Sequence, residues 1–178
     1  AWRPFWLILA VSCWLALPGN LPLWRAVWPL PELAGVRGVV FAAGLCVGIA
    51  AALQALLSLL AWRGVLLPAL LLLVVISAAN SYFMLQYGVV IDATMMANVA
   101  NTDIREVRDL LSWTMLLVAV LLGLLPAWWL VRRTVAYAAP WSQLRRNLAG
   151  FAAALAVLLV VALLLFQDLA SLMRNHKE

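Results

Sequence analysis

The sequence predicts an all-α membrane protein of five transmembrane helices, with short periplasmic helices between the third and fourth spans. Three observations carry this. Of the 178 residues, 67% are hydrophobic and 11% are charged, against about 25% charged in an ordinary soluble domain. Mean hydropathy is +1.05. Charge-free apolar runs recur at close to the ~20 residues that cross a hydrocarbon core. A soluble fold of this size still exposes about a third of its chain's area, too much for such a composition. A soluble enzyme, a disordered chain and a disulfide scaffold are therefore excluded.

The spans follow in order. The first covers residues 4–24 and is the weakest, because Pro18, Gly19, Asn20 and Pro22 interrupt its end. A secretory signal peptide is the other reading of this stretch, with Arg3 as its basic region. No small-x-small cleavage site is evident, and the apolar run restarts at Leu21 to Trp24. The second span covers residues 38–62, the third 64–87, the fourth 110–131 and the fifth 148–166. Together they make a membrane domain over residues 1–166. Residues 167–178 read as the start of a linker. Without an initiator Met, the chain reads as trimmed by a few residues at its start.

Charge sets the expected orientation. With a cytoplasmic N-terminus, the inner segments carry Arg3, Arg63, Arg132, Arg133, Arg145 and Arg146 and no acid. The outer segments carry Arg25, Arg37, Arg105, Arg108, Arg174, Lys177 and all seven acids. Basic residues divide evenly, so the short loop from Arg132 to Arg146 decides: it holds four arginines and no acid, and short basic loops stay inside. The C-terminus is then periplasmic, and the expected location is a bacterial inner membrane. The pI near 10 is explained by these flanking residues and does not call for nucleic acid. Most of the ten tryptophans fall near span ends, where an indole buries its ring and keeps its N–H wet. Trp14 is the clear mid-span case.

Catalytic signatures are missing from the sequence. There is no P-loop, no GxGxxG, no nucleophile elbow and no metal-spaced Cys/His cluster. His176, the single histidine, sits near the C-terminus and reads as solvent-exposed or as a junction residue. Cys13 and Cys46 read as buried free thiols within apolar runs. Ionisable groups are absent from the expected spans, which argues against a pump, a voltage sensor or an ion-coupled transporter. Gln54 and Ser58, spaced i and i+4, are the main polar pair at depth and are expected to make an interhelix hydrogen bond.

The stretch from Tyr82 to Ser112 differs from the rest and carries four of the seven acids. Asp92 suits a helix N-cap, and Gly88 suits a bend where the third span leaves the membrane. Met95, Met96 and Val99 would give a short helix an apolar side for the bilayer surface. Asn98, Thr102 and Glu106 are spaced four apart, so a continuous helix would put them on one face. An amide, a hydroxyl and a carboxylate in a row suit a zwitterionic headgroup, the carboxylate meeting an ammonium and the other two reaching phosphate oxygens. The spacing also allows a capping box, with Asp103 as N-cap and Glu106 folding back on its own backbone. Spacing alone leaves both readings open.

This loop carries a specific resemblance. YGVVIDATMMANVANTDIREV, set between the third and fourth spans, resembles the membrane domain of the phosphoethanolamine–lipid A transferases, the family that includes the mobile colistin-resistance enzymes. FQDLASLMRNHKE, at the end of the chain, is similar to that family's exit from its fifth span. The resemblance covers essentially the whole chain. It implies an inner-membrane enzyme that moves phosphoethanolamine from phosphatidylethanolamine to a lipid A phosphate. A zinc-bound threonine in a periplasmic domain would be its nucleophile. The family's membrane-side substrate residues fall on Asn98, Thr102 and Glu106. Where the family often has a proline between the threonine and the glutamate, this chain has Ile104 and Arg105. Zinc ligands, the nucleophilic threonine and the catalytic domain are expected outside these residues, and this chain is expected to bind no metal of its own. The expected partners are phosphatidylethanolamine, lipid A and the surrounding lipids. A non-catalytic membrane scaffold or lipid-binding protein is the alternative from another class.

Overall fold

The computed structural model describes residues 1–29, 35–88 and 112–175. Five helical crossings are long and apolar enough to span a membrane. The expected short helices between the third and fourth spans fall outside the described residues.

The first crossing is built from α1 (Pro4–Ala16) and α2 (Leu21–Val27). Pro4 opens α1, where its missing N–H costs nothing. Leu17, placed before Pro18, leaves the helical region, and a 3-10 turn over Pro18–Asn20 joins the two helices. The proline-glycine break thus lies inside the crossing, which runs on to Val27 and takes Arg25 into its last turn.

α3 (Val36–Leu59) and α4 (Leu66–Tyr87) form the second and third crossings. A tight turn joins them, with Gly64 at φ 84°, a left-handed conformation that glycine adopts without steric cost. The Trp62 indole donates to the Leu59 carbonyl at 3.1 Å and closes the end of α3.

Three segments make up the fourth crossing: α5 (Trp113–Val118), a π turn over Ala119–Leu124 and α6 (Leu125–Val131). Pro126 has no N–H to give the Leu122 carbonyl, and its ring crowds that carbonyl. The wider turn falls just ahead of it and absorbs the mismatch.

The last helix, α7 (Pro140–Asn175), differs most from expectation. It begins eight residues before the apolar run opens at Leu148 and continues nine residues past Phe166. Pro140 starts it, and the Gln143 side chain reaches back to accept the Ala138 amide at 3.0 Å. Arg145 and Arg146 are therefore helical.

α7 runs antiparallel along α3, and α1 also packs on α3. Small residues allow the close approach: a Cβ on Gly44 would stand 2.8 Å from Leu165, and one on Gly48 3.4 Å from Val161. This is the packing expected where lipid supplies no hydrophobic drive between helices. The core sits around α1, where Leu7, Ile8, Val11 and Leu15 meet Leu57, Leu66, Leu70, Val74 and Leu130. Exposed leucines on α7, such as Leu163 and Leu164, face outward.

Two expectations about buried polar groups are refined. Gln54 makes the interhelix bond alone, its amide donating to the Phe5 carbonyl at a long 3.5 Å. The Ser58 hydroxyl instead donates to the Gln54 carbonyl of its own helix at 2.6 Å, an i−4 back-bond open to any serine in a helix. Trp14 is largely covered, and its indole N–H has no hydrogen-bond partner among the described residues.

At one end of the bundle the connection over 132–139 closes across the N-terminus. Trp2 donates to the Thr134 carbonyl at 2.8 Å and accepts from the Ala136 amide at 2.9 Å. Arg132 stacks over Trp128 at 4.7 Å, and Arg133 over Trp129 at 4.7 Å. Tyr137 tucks beneath them, and burial pushes its phenol above the usual value while Arg63 partly opposes the shift.

Candidate functional site

Asn98, Thr102 and Glu106 lie outside the described residues, as do Asp92 and Asp103 with their expected caps. The structure does describe the two roots from which this segment springs. α4 ends at Gly88, whose φ of 65° is left-handed and whose amide donates to the Met84 carbonyl at 3.1 Å. A glycine in this position is the common way to stop a helix. The segment returns at Ser112, an extended N-cap whose hydroxyl accepts from the Met115 amide at 3.1 Å. Serine favours that place because its oxygen satisfies an orphan amide of the first turn. The Tyr82 hydroxyl stands 3.4 Å from the Ser112 hydroxyl and ties the two roots together. Residues 89–111 therefore leave and rejoin the bundle at the same end.

Beneath these roots lies a polar cluster that the sequence reading missed. The Gly19 carbonyl, in the 3-10 turn of the first crossing, accepts from Ser77 at 2.7 Å and Ser81 at 2.8 Å. The two serines are one helical turn apart on α4 and share a face. Ser81 is fully buried. The fit is close, since a Cβ on Gly19 would come within 2.8 Å of the Ser77 hydroxyl. The Trp24 indole donates to the Ala16 carbonyl at 2.8 Å and satisfies another group freed by the break. The signal was present: a proline-glycine interruption in one span, and serines at i and i+4 in another. Only the fold shows that they meet.

The chemistry of this end is divided. The described side chains offer neutral groups: hydroxyls of Ser77, Ser81, Tyr82 and Ser112, and the Asn80 amide. Charge comes from Arg25 in the last turn of α2 and, in the sequence, from the stretch between the roots, which holds Asp92, Asp103, Glu106 and Asp109 together with Arg105 and Arg108. The described residues alone can position a ligand but supply no acid or base near neutrality.

Zinc calls for several Cys, His or carboxylate ligands brought together. Among the described residues no three such side chains converge, and Cys13 and Cys46 stand on separate crossings. The described residues do not fit the ion.

Known proteins share this architecture. A family model described as phosphoethanolamine transferase EptA/EptB matches residues 49–178. The chain is 32% identical over 178 residues to the phosphatidylethanolamine transferase Mcr-2 of Escherichia coli, covering 98% of this chain and 32% of that protein. It is 30% identical over 176 residues to the phosphoethanolamine transferase EptA of Escherichia coli K12, covering 97% of this chain and 32% of that protein. A solved structure, the integral membrane lipooligosaccharide phosphoethanolamine transferase A (EptA) from Neisseria meningitidis, superposes with a TM-score of 0.82 at 26% identity. That match covers 96% of this chain and 32% of the solved one. The chain thus spans about a third of the length of these relatives. With five apolar crossings arranged as in an integral membrane transferase, and with the family match running over most of its length, the chain belongs to the phosphoethanolamine transferase EptA/EptB family, of which it forms the N-terminal membrane domain.

Proposed function

We propose that this chain is the membrane half of an inner-membrane enzyme that moves phosphoethanolamine from phosphatidylethanolamine to lipid A. It anchors a periplasmic catalytic domain and holds the donor lipid through Asn98, Thr102 and Glu106. The single observation that carries the reading is similarity along nearly the whole chain to phosphoethanolamine transferases. The roots at Gly88 and Ser112 support it, because both ends of the acid-rich segment are anchored at one end of the bundle. In this reading Glu106 meets the ethanolammonium, while Asn98 and Thr102 hold the phosphate end. A carboxylate–ammonium contact at headgroup depth is worth more than an exposed salt bridge, since the effective dielectric is below that of water. The zinc ion and the attacking threonine belong to residues beyond this sequence. The N-terminus is cytoplasmic and the C-terminus periplasmic.

The test is transfer itself. Full-length protein, supplied with zinc, phosphatidylethanolamine and lipid A, is expected to add phosphoethanolamine to lipid A, read as the mass gain of the product. The purified 178-residue chain is expected to add none. Transfer by the short chain, or none by the full-length protein, overturns the reading.

A further inference from the structure

The end of the bundle opposite the Gly88 and Ser112 roots carries a pocket, about 360 Å³ in volume and within the usual ~300–1,000 Å³ of small-ligand sites. It opens between the start of α1, the end of α3 and the start of α7. Arg3 and Arg146 stand at its rim. Its floor is polar and buried: Ser58, Gln143 and Asn147 are each 3–4% exposed. Gln143 donates to the Asn147 side chain at 2.7 Å, and Asn147 donates to the Ala61 carbonyl at 3.2 Å. Each amide nitrogen has two N–H groups, so each keeps a second donor. Gly150 keeps the floor open at the helix crossing, since a Cβ there would stand 3.1 Å from the Ser58 hydroxyl. Phe5, Trp6 and Ala153 supply apolar walls toward the surrounding lipid.

Charge defines what the pocket can take. Every acid of the sequence lies at position 32, at 92–109, or at 168 and beyond, in stretches whose described flanks stand at the other end of the bundle. Among the described residues no ion pair engages Arg3 or Arg146. The neighbouring Arg132 and Arg133, by contrast, lie on indole rings. Two cations over neutral donors, with no carboxylate to receive an ammonium, fit a phosphate and disfavour a zwitterion. Basic pockets between transmembrane helices are suited to anionic headgroups.

We propose that this pocket binds the phosphate of an anionic glycerophospholipid from the leaflet at the basic end, with the acyl chains leaving along Phe5, Trp6 and Ala153. It is separate from any donor-lipid site at the other end and does not rest on the transferase reading.

Delipidated full-length protein would be titrated by native mass spectrometry with phosphatidylglycerol and, separately, with phosphatidylethanolamine of the same acyl chains. Arg3→Ala/Arg146→Ala is expected to raise the phosphatidylglycerol dissociation constant about 10-fold or more and to leave phosphatidylethanolamine binding within about 2-fold. Arg63→Ala/Arg145→Ala removes the same charge from the same end outside the pocket and is expected to change either by less than about 2-fold. Ala153→Trp keeps both arginines, fills the mouth and is expected to weaken phosphatidylglycerol as the double variant does. Should the double variant fail to fold, Ala153→Trp decides. Excess glycerol phosphate is expected not to displace the lipid. Equal losses in the two arginine pairs, unchanged binding after Ala153→Trp, or full displacement by glycerol phosphate would each overturn the proposal.

Discussion

Glu106 is the residue on which the donor-site reading turns. As an ammonium partner it makes a charge-assisted contact, worth roughly 1.5–3 kcal/mol, or about 10- to 150-fold in a rate constant. As a capping-box residue it would be replaced by glutamine at little cost, because both residue types fill that position. Glu106→Gln in the full-length enzyme is therefore expected to cut transfer by about 10- to 150-fold. Asp103→Asn keeps an N-cap and removes a neighbouring charge, so it is expected to stay near wild type. Lipid A modification in folded, inserted protein is the measurement, and near-normal transfer by Glu106→Gln would leave the capping account standing. Spacing exposed this candidate because a helix face repeats every three to four residues. By the same rule it paired Gln54 with Ser58, yet those side chains go to different backbone carbonyls. Shared spacing puts side chains on one face; the groups opposite decide what they bond.

At the scale of the helix, the α3–α7 contact depends on two glycines in different ways. A Cβ on Gly44 would stand 2.8 Å from the end of the buried Leu165 side chain, which would have to shift, whereas Gly48 faces Val161 at ordinary contact distance. Gly44→Leu is expected to force the helices apart and to lower stability by about 1–3 kcal/mol, the usual cost of overpacking. Gly48→Ala fits the space and removes glycine's cost of ~1 kcal/mol inside a helix, so it is expected to be neutral or stabilising. Thermal denaturation in detergent separates them: the midpoint falls for the first and holds or rises for the second. A fall for both would show that the interface tolerates no Cβ at either position. Hydropathy marked α7 as a span but misjudged its length. Arginines and polar residues end an apolar run without ending a helix, and Pro140 with the Gln143 cap sets the true start.

For the molecule as a whole, the segregation of charge is the dominant fact. One end of the bundle is basic and acid-free in sequence, and every acid belongs to chain segments that leave the other end. If short basic loops stay inside, single cysteines at Ala136 and Ala100, in a background lacking Cys13 and Cys46, are expected to label from opposite sides. The Ala100 position reacts with an impermeant reagent in intact spheroplasts. The exposed Ala136 position reacts only after lysis. Labelling of both from one side would overturn the five-crossing topology, whereas exchange of the two sides would reverse the proposed orientation.

The sequence by itself determined the class of protein, the number of crossings and the family. Apolar length is additive along the chain, and a bilayer demands about 20 such residues per crossing whatever their neighbours are. It also nominated Asn98, Thr102 and Glu106, by spacing and by family likeness; these three lie outside the described residues. Contacts between positions far apart in the chain were decided by the tertiary structure alone. Gly19 meets Ser77 and Ser81 across 58 and 62 positions, and Asn147 meets Ala61 across 86. The basic pocket likewise exists only because three helix ends converge on it. The physical reason is that a buried polar group must find a partner, and which partner lies within 3 Å is a property of packing that no local pattern contains.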